Sequence, residues 1–329
     1  MALLQESLSV ATRSGAAKPD DFRPVIVDTT VQEKAIPFPT DAKLMHRARE
    51  RLVRLAKAHG VALRPSEARV GKRLLIQDQR SAHAQPVKRA NKALRRLRTR
   101  LGRVIRAVAR KIAMGPDRAE AFAGPLALAR RVKDQRQRER GRKVYCLHAP
   151  EVGCIGKGKA PKPDEFGVKV SVATPLRRCR GGPFGAHVQA LPGPPYDGPT
   201  LASVIPAIEA TVGAELARIV PDAGSKGHPA PKEKRFRVCV AGQKRGLTGA
   251  LKRAFRRRAA VEPVIGPLKA EHRMGRSYLA HSAGDAINAV LAAVGYNFRL
   301  LIRWLAVWSA LLAICRETAE SRSSRLQPA

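Results

Sequence analysis

One segment, from Val87 to Ile112, constrains the fold most. Apolar side chains recur along it at intervals of three and four residues, the period of an α-helix with one buried face. Lys and Arg fill its other faces, and no acidic residue lies between Asp78 and Asp117. The segment therefore predicts an amphipathic helix with a cationic solvent side, suited to a phosphate backbone. A coiled-coil seam with solvated charges is the alternative. The apolar positions are Val87, Ala90, Leu94, Leu97, Leu101, Val104, Ile105, Val108 and Ile112.

The excess of positive charge extends over the whole chain. Its 329 residues include 63 Lys and Arg against 26 Asp and Glu, a formal net charge of +37. Such self-repulsion opposes a compact fold unless a polyanion neutralises part of it, and nucleic acid is the first candidate, with an anionic membrane surface second. Aromatic residues are only 4% of the chain, which favours contact with a duplex backbone over base stacking.

Helical and strand patterns follow one another in blocks, and together they predict an α/β fold. Residues 40–141 predict helices alone: one over 40–59, the long helix above, and one over 117–141 that breaks near Pro125. Short apolar runs predict strands at 24–31, with a hairpin partner at 31–36, and at 144–149, 166–173, 186–191, 216–220 and 235–241. Further helices are predicted at 201–213 and from Thr248 onward.

The five cysteines and the apolar C-terminal segment indicate where in the cell the protein is expected. No cysteine pair has C-x-x-C spacing, which favours reduced thiols in a cytosolic protein, and the N-terminus has no signal-peptide pattern. Residues 286–315 are apolar, but Asn297, Arg299 and Arg303 interrupt them. A membrane span needs about 20 predominantly apolar residues. We therefore expect buried amphipathic helices here and no membrane partner.

Three carboxylates stand out by their positions. Asp28 and Asp222 are each placed at the end of a predicted strand, and Glu262 lies between Arg258 and Lys269 on a helical stretch. On an unbroken helix the offsets of four and seven residues place both cations on the face of Glu262. The ordinary explanations are turn aspartates and a solvated Arg–Glu pair.

Two prolines argue against one continuous helix through Glu262. Pro263 and Pro267 interrupt the stretch, and a second helix can begin at Pro263, a favoured first-turn residue. Arg258 and Lys269 then need not share a face with Glu262. Carboxylates on two strands and one helix can nonetheless converge in space, and such a cluster would bind two Mg²⁺ ions about 4 Å apart.

Three ordered motifs resemble bacterial insertion-sequence transposases of the DDE class. Residues 27–35, Val-Asp-Thr-Thr-Val-Gln-Glu-Lys-Ala, look like the strand of the family's first aspartate. Residues 222–228, Asp-Ala-Gly-Ser-Lys-Gly-His, are similar to the second-aspartate motif, in which a Tyr usually stands at the place of Ser225. Phe255-x2-Arg258-x3-Glu262-x6-Lys269 is similar to the Tyr/Arg/Glu/Lys signature, with Phe in place of Tyr. The likeness covers about residues 2–310.

The resemblance implies a fold, an activity and a set of site residues. The fold would be an RNase H-like mixed sheet flanked by helices, with a basic all-helical insertion and C-terminal helices. Its parts would be 1–39 and 143–275 for the catalytic core, 40–142 for the insertion and 276–329 for the C-terminal helices and tail. Asp28, Asp222 and Glu262 would be the catalytic residues and would hold two Mg²⁺ ions, or Mn²⁺ in their place. Arg258 and Lys269 would contact DNA.

The partners implied are the element's terminal inverted repeats and target DNA, bound by a homodimer at the nucleoid of the bacterial cytoplasm. Family members usually carry a helical DNA-binding domain before the first aspartate, whereas 27 residues precede it here. Pro221, Ser225 and Pro267 also depart from the family pattern. We therefore expect a truncated copy, active or inactive. A non-enzymatic basic nucleic-acid-binding protein is the alternative function, and a peripheral membrane protein held by its C-terminal helices is a third.

Overall fold

In the computed structural model, one long strand, β1, lies at the centre of a mixed sheet. β1 pairs antiparallel with β3 and parallel with β5. Strands β2 and β4 both pair with β3, and β6 pairs in parallel with the last residues of β1. The strands are β1 (Pro24–Lys34), β2 (Gly153–Gly156), β3 (Asp164–Pro175), β4 (His187–Leu191), β5 (Arg218–Pro221) and β6 (Arg276–Ser277).

Helices precede, interrupt and follow these strands, so the predicted α/β class with a mixed sheet is confirmed. The helices are α1 (Ala2–Arg13), α2 (Asp41–Ala58), α3 (Ala68–His83), α4 (Val87–Ile112), α5 (Pro116–Asp134), α6 (Asp197–Val212), α7 (Gly249–Arg257), α8 (Glu262–Ala270) and α9 (His281–Ser324). The structure describes residues 1–63, 68–83, 87–113, 116–136, 139, 141–156, 163–193, 197–225, 227, 230, 232–242 and 248–324.

The chain divides into two compact units. One combines Met1–Ala35 with Ile155–Ala329 and contains α1 and α6–α9 together with most of the sheet. The other, Ile36–Cys154, contains α2–α5. The predicted division at residues 39, 142 and 275 stays a prediction.

Alternate side chains of β1 pack on opposite faces of the sheet, as the period of two along a strand requires. Val25 and Val27 belong to the larger core of the first unit, which α1, α6 and α9 complete. Ile26 belongs to a smaller core on the other face, with Val220 of β5. Asp28 lies two residues after Ile26, so its side chain emerges on this second face.

The second unit confirms the central helix prediction. The apolar stripe of α4 is buried against α2, α3 and α5, with Leu97, Leu101, Val104 and Val108 at most 3% exposed. Residues 36–154 carry 31 Lys and Arg against 9 Asp and Glu, a net +22. Described cations exposed on the opposite side of α4 are Lys88, Arg89, Lys92, Arg95, Arg96, Arg103, Arg106, Arg110 and Lys111.

Two predictions about the helices of this unit have opposite outcomes. Thr40 caps α2 as expected, since its hydroxyl accepts a hydrogen bond from the Lys43 amide at 3.3 Å. The predicted break at Pro125 is wrong, because α5 runs through it to Asp134. A proline forfeits one helical hydrogen bond, and burial of Phe122 and Leu126 on either side holds the helix together.

Two predicted strands are wrong, and a third forms only in part. The hairpin at 31–36 does not form, because no turn residue interrupts β1 before Lys34 and β3 pairs with it up to Glu33. Residues 144–149 form no strand, since the side chain of Gln135 bonds both the amide and the carbonyl of Val144. Within 235–241, a 3₁₀ turn ends at Arg237, and the chain then pairs with β5 through one bridge at Val238 and the amides of Cys239 and Ala241.

The expectation of several buried C-terminal helices is also wrong. One helix, α9, spans 44 residues, and it is buried only as far as Leu301. From Ile302 to Glu317 its residues are exposed, with Trp304 half-buried, because the helix has passed the end of the core that covers it. Among the described residues, one segment, His281–Glu317, is long and apolar enough to cross a membrane by length and composition alone.

His187 of β4 gives the fold a pH dependence. Burial lowers the pKa of His187 to about 4, and its Nδ1 lies 2.7 Å from the Thr211 hydroxyl. Because the folded state favours the neutral ring, His187 contributes stability that is fully present above its unfolded pKa near 6.5. That contribution is lost as the pH falls from about 6.5 toward 4, by roughly 3 kcal/mol in all.

We expect the free energy of unfolding to fall over this pH range and to fall less steeply in His187→Gln, measured by urea unfolding at several pH values. The two proteins share every other titratable group, so the difference between their pH slopes isolates His187. Equal pH slopes in the two proteins would contradict a buried neutral His187.

Candidate active site

The sheet places the two predicted aspartates side by side. β1 and β5 run parallel, with Ile26 opposite Val220 and Val27 opposite Pro221. Asp28 and Asp222 are the next residues along the two strands. Asp28 lies two residues after Ile26, and Asp222 lies two residues after Val220. Because Ile26 and Val220 both belong to the smaller core, both carboxylates emerge on the same face of the sheet.

Asp28 does not end its strand, as the sequence had suggested, but lies within β1. The pairing with β5 ends one residue earlier, at Val27. Asp222 directly follows Pro221, the last residue of β5. Proline has no backbone N–H to donate, but at the end of a strand this leaves most of the hydrogen bonds between the strands intact. The two side chains are 18% and 41% exposed, so solvent reaches both of them.

The segment after α7 covers this face and brings Arg258 to the aspartates. Thr248 caps α7, and Ala254 and Val261 bury their side chains in the smaller core. Between them, Arg258–Val261 forms a 3₁₀ turn, and the Arg257 guanidinium donates a hydrogen bond to the Leu176 carbonyl. These contacts fix the backbone on both sides of Arg258.

Arg258 bridges the two carboxylates through one nitrogen. Its Nη2 lies 2.9 Å from Asp222 Oδ1 and 3.7 Å from Asp28 Oδ2. The two oxygens are therefore no further apart than the sum of these distances. The family resemblance implied that Arg258 contacts DNA and did not predict this pairing. The apolar spacing of Ala254 and Val261 on either side of Arg258 is the sequence signal that could have indicated it.

Glu262 and Lys269 lie on the next helix. Glu262 is the first residue of α8 and is exposed, and Lys269 is half-buried in its last turn. The single helix that would place Arg258, Glu262 and Lys269 on one face does not form, because the 3₁₀ turn separates α7 from α8. The break expected from Pro263 is confirmed, and Pro267 lies inside α8.

The donor set of the site fits Mg²⁺ in part. Two carboxylates on adjacent strands are the hard oxygen ligands that Mg²⁺ prefers. The Arg258 guanidinium lies near both of them, which shows that this position attracts positive charge. Within the described residues, no three His, Cys, Asp or Glu side chains are grouped to hold a metal ion. The Glu262 carboxylate thus does not join Asp28 and Asp222 in this arrangement of side chains.

Comparison with known proteins gives a short match. A protein of Rhizobium meliloti described as "Uncharacterized protein ORF8 in nfe locus" is 47% identical to this chain over 83 residues. The match spans 25% of this chain and 40% of that protein, less than half of its length, and the description assigns no activity. No protein-family model matches the chain, and no solved structure matches it.

Proposed function

We propose that this chain is a DDE-class transposase of an insertion sequence, built on an RNase H-like core. One observation carries the proposal: Asp28 and Asp222 are adjacent on parallel strands of a mixed sheet, with Arg258 between them. The three motifs were identified separately in the sequence, at intervals of 194 and 40 residues. The alternative, a non-enzymatic basic nucleic-acid-binding protein, accounts for the positive charge of the chain but does not by itself predict two aspartates that meet at one arginine.

Each residue of the site has a role in this proposal. Asp28 and Asp222 would hold the metal, and Glu262 would complete the ligand set after its side chain turns toward them. When bound, Mg²⁺ supplies a Lewis acid that activates the attacking oxygen and neutralises charge on the phosphoryl group. Arg258 would leave the carboxylates and contact a DNA phosphate, and Lys269 would contact a second one.

The reaction would be phosphoryl transfer in two stages. Water attacks a phosphodiester at the end of the element, and the bond to the 3′ oxygen breaks to leave a 3′ hydroxyl. That hydroxyl then attacks a phosphodiester of the target DNA, which exchanges one phosphodiester for another. Positioning and charge neutralisation supply most of the rate in such reactions.

Incubation of the full chain with labelled DNA from the ends that flank its gene tests the proposal. We expect Mg²⁺-dependent cuts that leave 3′ hydroxyls at the element ends, followed by joined products with a target plasmid. Cuts that persist in EDTA, or fall at random positions, would contradict it. Binding to the DNA with no cleavage in Mg²⁺ or Mn²⁺ would favour the non-enzymatic alternative or an inactive copy.

The second unit would grip duplex DNA through the cationic side of α4, since phosphate neutralisation releases counterions. We expect the triple variant Arg95→Ala/Arg96→Ala/Arg103→Ala to bind DNA more weakly. Its slope of log K against log salt should be shallower by about 0.9 for each phosphate that the variant no longer neutralises. Fluorescence anisotropy at several salt concentrations measures both quantities.

A matched control removes three cations from another exposed surface: Arg47→Ala/Arg51→Ala/Arg54→Ala on α2. We expect this control to change the slope less than the α4 variant. Equal slopes for the α4 variant and the wild type would show that α4 does not contact DNA.

A further inference from the structure

A cleft of about 420 Å³ opens at the end of the sheet where β1 and β5 begin and β3 ends. Among the described residues that line it, three are arginines, Arg23, Arg177 and Arg218, and one is acidic, Asp20. The remaining described lining residues are Pro24, Leu176 and Ala217. A concave surface lined by charges of one sign focuses their field, so this cleft attracts anions.

Backbone hydrogen bonds hold the three arginines at neighbouring positions. The Ala217 amide donates to the Arg23 carbonyl at 2.8 Å, and the amide of the residue before Arg177 donates to the Pro24 carbonyl, also at 2.8 Å. Arg218 lies opposite Pro24 in the register of β1 with β5. The pairing of the strands therefore brings the three cations together, and no loop has to rearrange to form the cleft.

The positive charge of the cleft is only partly neutralised within the chain. Arg23 Nη1 lies 3.7 Å from Asp20 Oδ1, and their side chains are 48% and 73% exposed. An exposed ion pair of this kind contributes little. In the described part of the chain, no acidic side chain forms an ion pair with Arg177 or Arg218. Three arginines against one aspartate leave a net charge of about +2 for an anion.

The cleft lies on the same face of the sheet as the two aspartates of the candidate active site. Arg218 precedes Asp222 by four residues, and Pro24 precedes Asp28 by four residues. An even spacing along a strand places side chains on one face. Four residues of an extended strand span about 13 Å, so the cleft and the aspartates are about that distance apart along the sheet.

Cations of α7 continue from the cleft to the aspartates. The Arg257 guanidinium donates a hydrogen bond to the carbonyl of Leu176, which lines the cleft. The next residue, Arg258, pairs with both aspartates. Arg253 and Arg256 of the same helix are exposed. A continuous series of arginines with an anion-attracting cleft at its end suits a polyanion better than a single small anion.

We infer that the cleft binds a backbone phosphate of DNA on the same face of the sheet as the candidate active site. The donors of an arginine fork match the oxygens of a phosphate. At a rise of 3.4 Å per nucleotide along the helix axis, 13 Å corresponds to roughly four nucleotides from the cut. A free phosphate is usually held in an enclosed site, whereas Arg23 and Arg177 are exposed. The inference rests on the proposed function for its ligand, DNA, but not for the cleavage.

DNA binding by the full chain tests the inference, measured by fluorescence anisotropy in EDTA at several salt concentrations. Arg177→Ala/Arg218→Ala should bind all duplexes more weakly, and its slope of log K against log salt should be shallower by about 0.9, the value for one phosphate. Arg177→Lys/Arg218→Lys should keep the slope, because lysine also neutralises a phosphate.

The matched control is Arg303→Ala/Arg316→Ala, which removes two exposed arginines from α9. It should leave the slope unchanged. Wild-type slope in Arg177→Ala/Arg218→Ala would overturn the inference. If circular dichroism shows that this double variant is unfolded, Arg177→Ala alone, at an exposed position, replaces it with the same expected direction.

Uncharged linkages in the DNA locate the contact. Methylphosphonate replaces one phosphate at a time along the strand that is cut. The wild type should lose affinity at a position roughly four nucleotides from the cut. Arg177→Ala/Arg218→Ala should lose nothing further there, because the contact is already missing. The same loss at every position in both proteins would overturn the inference.

The possible results distinguish this inference from the proposed function. Slope changes as expected, in a protein that never cleaves DNA, would support the phosphate contact and contradict the transposase activity. Cleavage by the wild type, with equal salt slopes in the double variant, would do the reverse. Calorimetric binding of inorganic phosphate that is lost in a double variant with the wild-type DNA slope would assign the cleft to a free phosphate and overturn the DNA contact.

Discussion

Replacing Asp28 or Asp222 with alanine is expected to lower the rate of Mg²⁺-dependent DNA cleavage on the order of a thousandfold or more, as for groups that act as a unit in catalysis. The two carboxylates are the proposed metal ligands, and the sheet itself positions them, so no neighbour replaces either one. The cleavage rates of Asp28→Asn and Asp222→Asn should fall by similar factors, because the amide keeps the shape of the side chain but loses its charge. Initial rates of end cleavage under single-turnover conditions measure the effect.

The matched control is Asp134→Ala, which removes an exposed carboxylate from the end of α5. It should cleave DNA at the wild-type rate. The family resemblance assigns the third ligand to Glu262, so Glu262→Gln should lose activity as Asp28→Asn does. Full activity in Asp28→Ala would remove the basis of the proposed function.

Breaking the buried ion pair between Lys34 and Asp285 is expected to have the largest effect on stability. Lys34 Nζ lies 2.8 Å from Asp285 Oδ1, and the two side chains are 6% and 7% exposed. The pair joins the last residue of β1 to the second turn of α9. Lys34→Met leaves a buried carboxylate without its cation, which costs about 3–5 kcal/mol. Urea unfolding should show this as a lower transition midpoint.

A double replacement distinguishes the loss of the attraction between Lys34 and Asp285 from the cost of leaving the Asp285 carboxylate buried without a cation. Lys34→Met/Asp285→Leu removes both charges and should recover most of the stability, since apolar residues often substitute for a buried pair without loss. The exposed pair of Arg13 and Glu6 is the control, with side chains 65% and 58% exposed. Arg13→Met should cost less than about 1 kcal/mol. A cost for Lys34→Met no larger than that would contradict the burial of the pair.

Local patterns predicted the elements whose own residues determine them. The stripe of α4 and the Thr40 cap of α2 depend on neighbours within a few turns, and both are confirmed. The hairpin at 31–36 failed because the sheet offers β1 a longer partner, β3, and strand length depends on partners distant in the sequence. Gln135 likewise changed the structure of 144–149 from nine or more residues away.

For the site, too, the sequence predicted the residues that belong to local motifs but not the contacts that depend on distant parts of the chain. The sequence identified Asp28 and Asp222 by motif, and the register of β1 with β5 explains why they meet. It did not indicate that Arg258 pairs with both, because that contact depends on how the 3₁₀ turn lies on the sheet. The exposure of the end of α9 was also beyond the sequence, since an apolar segment carries no sign of what encloses it.

The most direct test of the central claim is oxidative cleavage of the protein by bound iron. Fe²⁺ takes the place of Mg²⁺ at carboxylate sites and, with ascorbate and peroxide, cuts the backbone beside its ligands. The proposal predicts fragments that end near residues 28, 222 and 262, suppressed by excess Mg²⁺ and missing in Asp28→Ala/Asp222→Ala. Cuts elsewhere, or the same cuts in that double variant, would show that the two aspartates do not hold the catalytic metal.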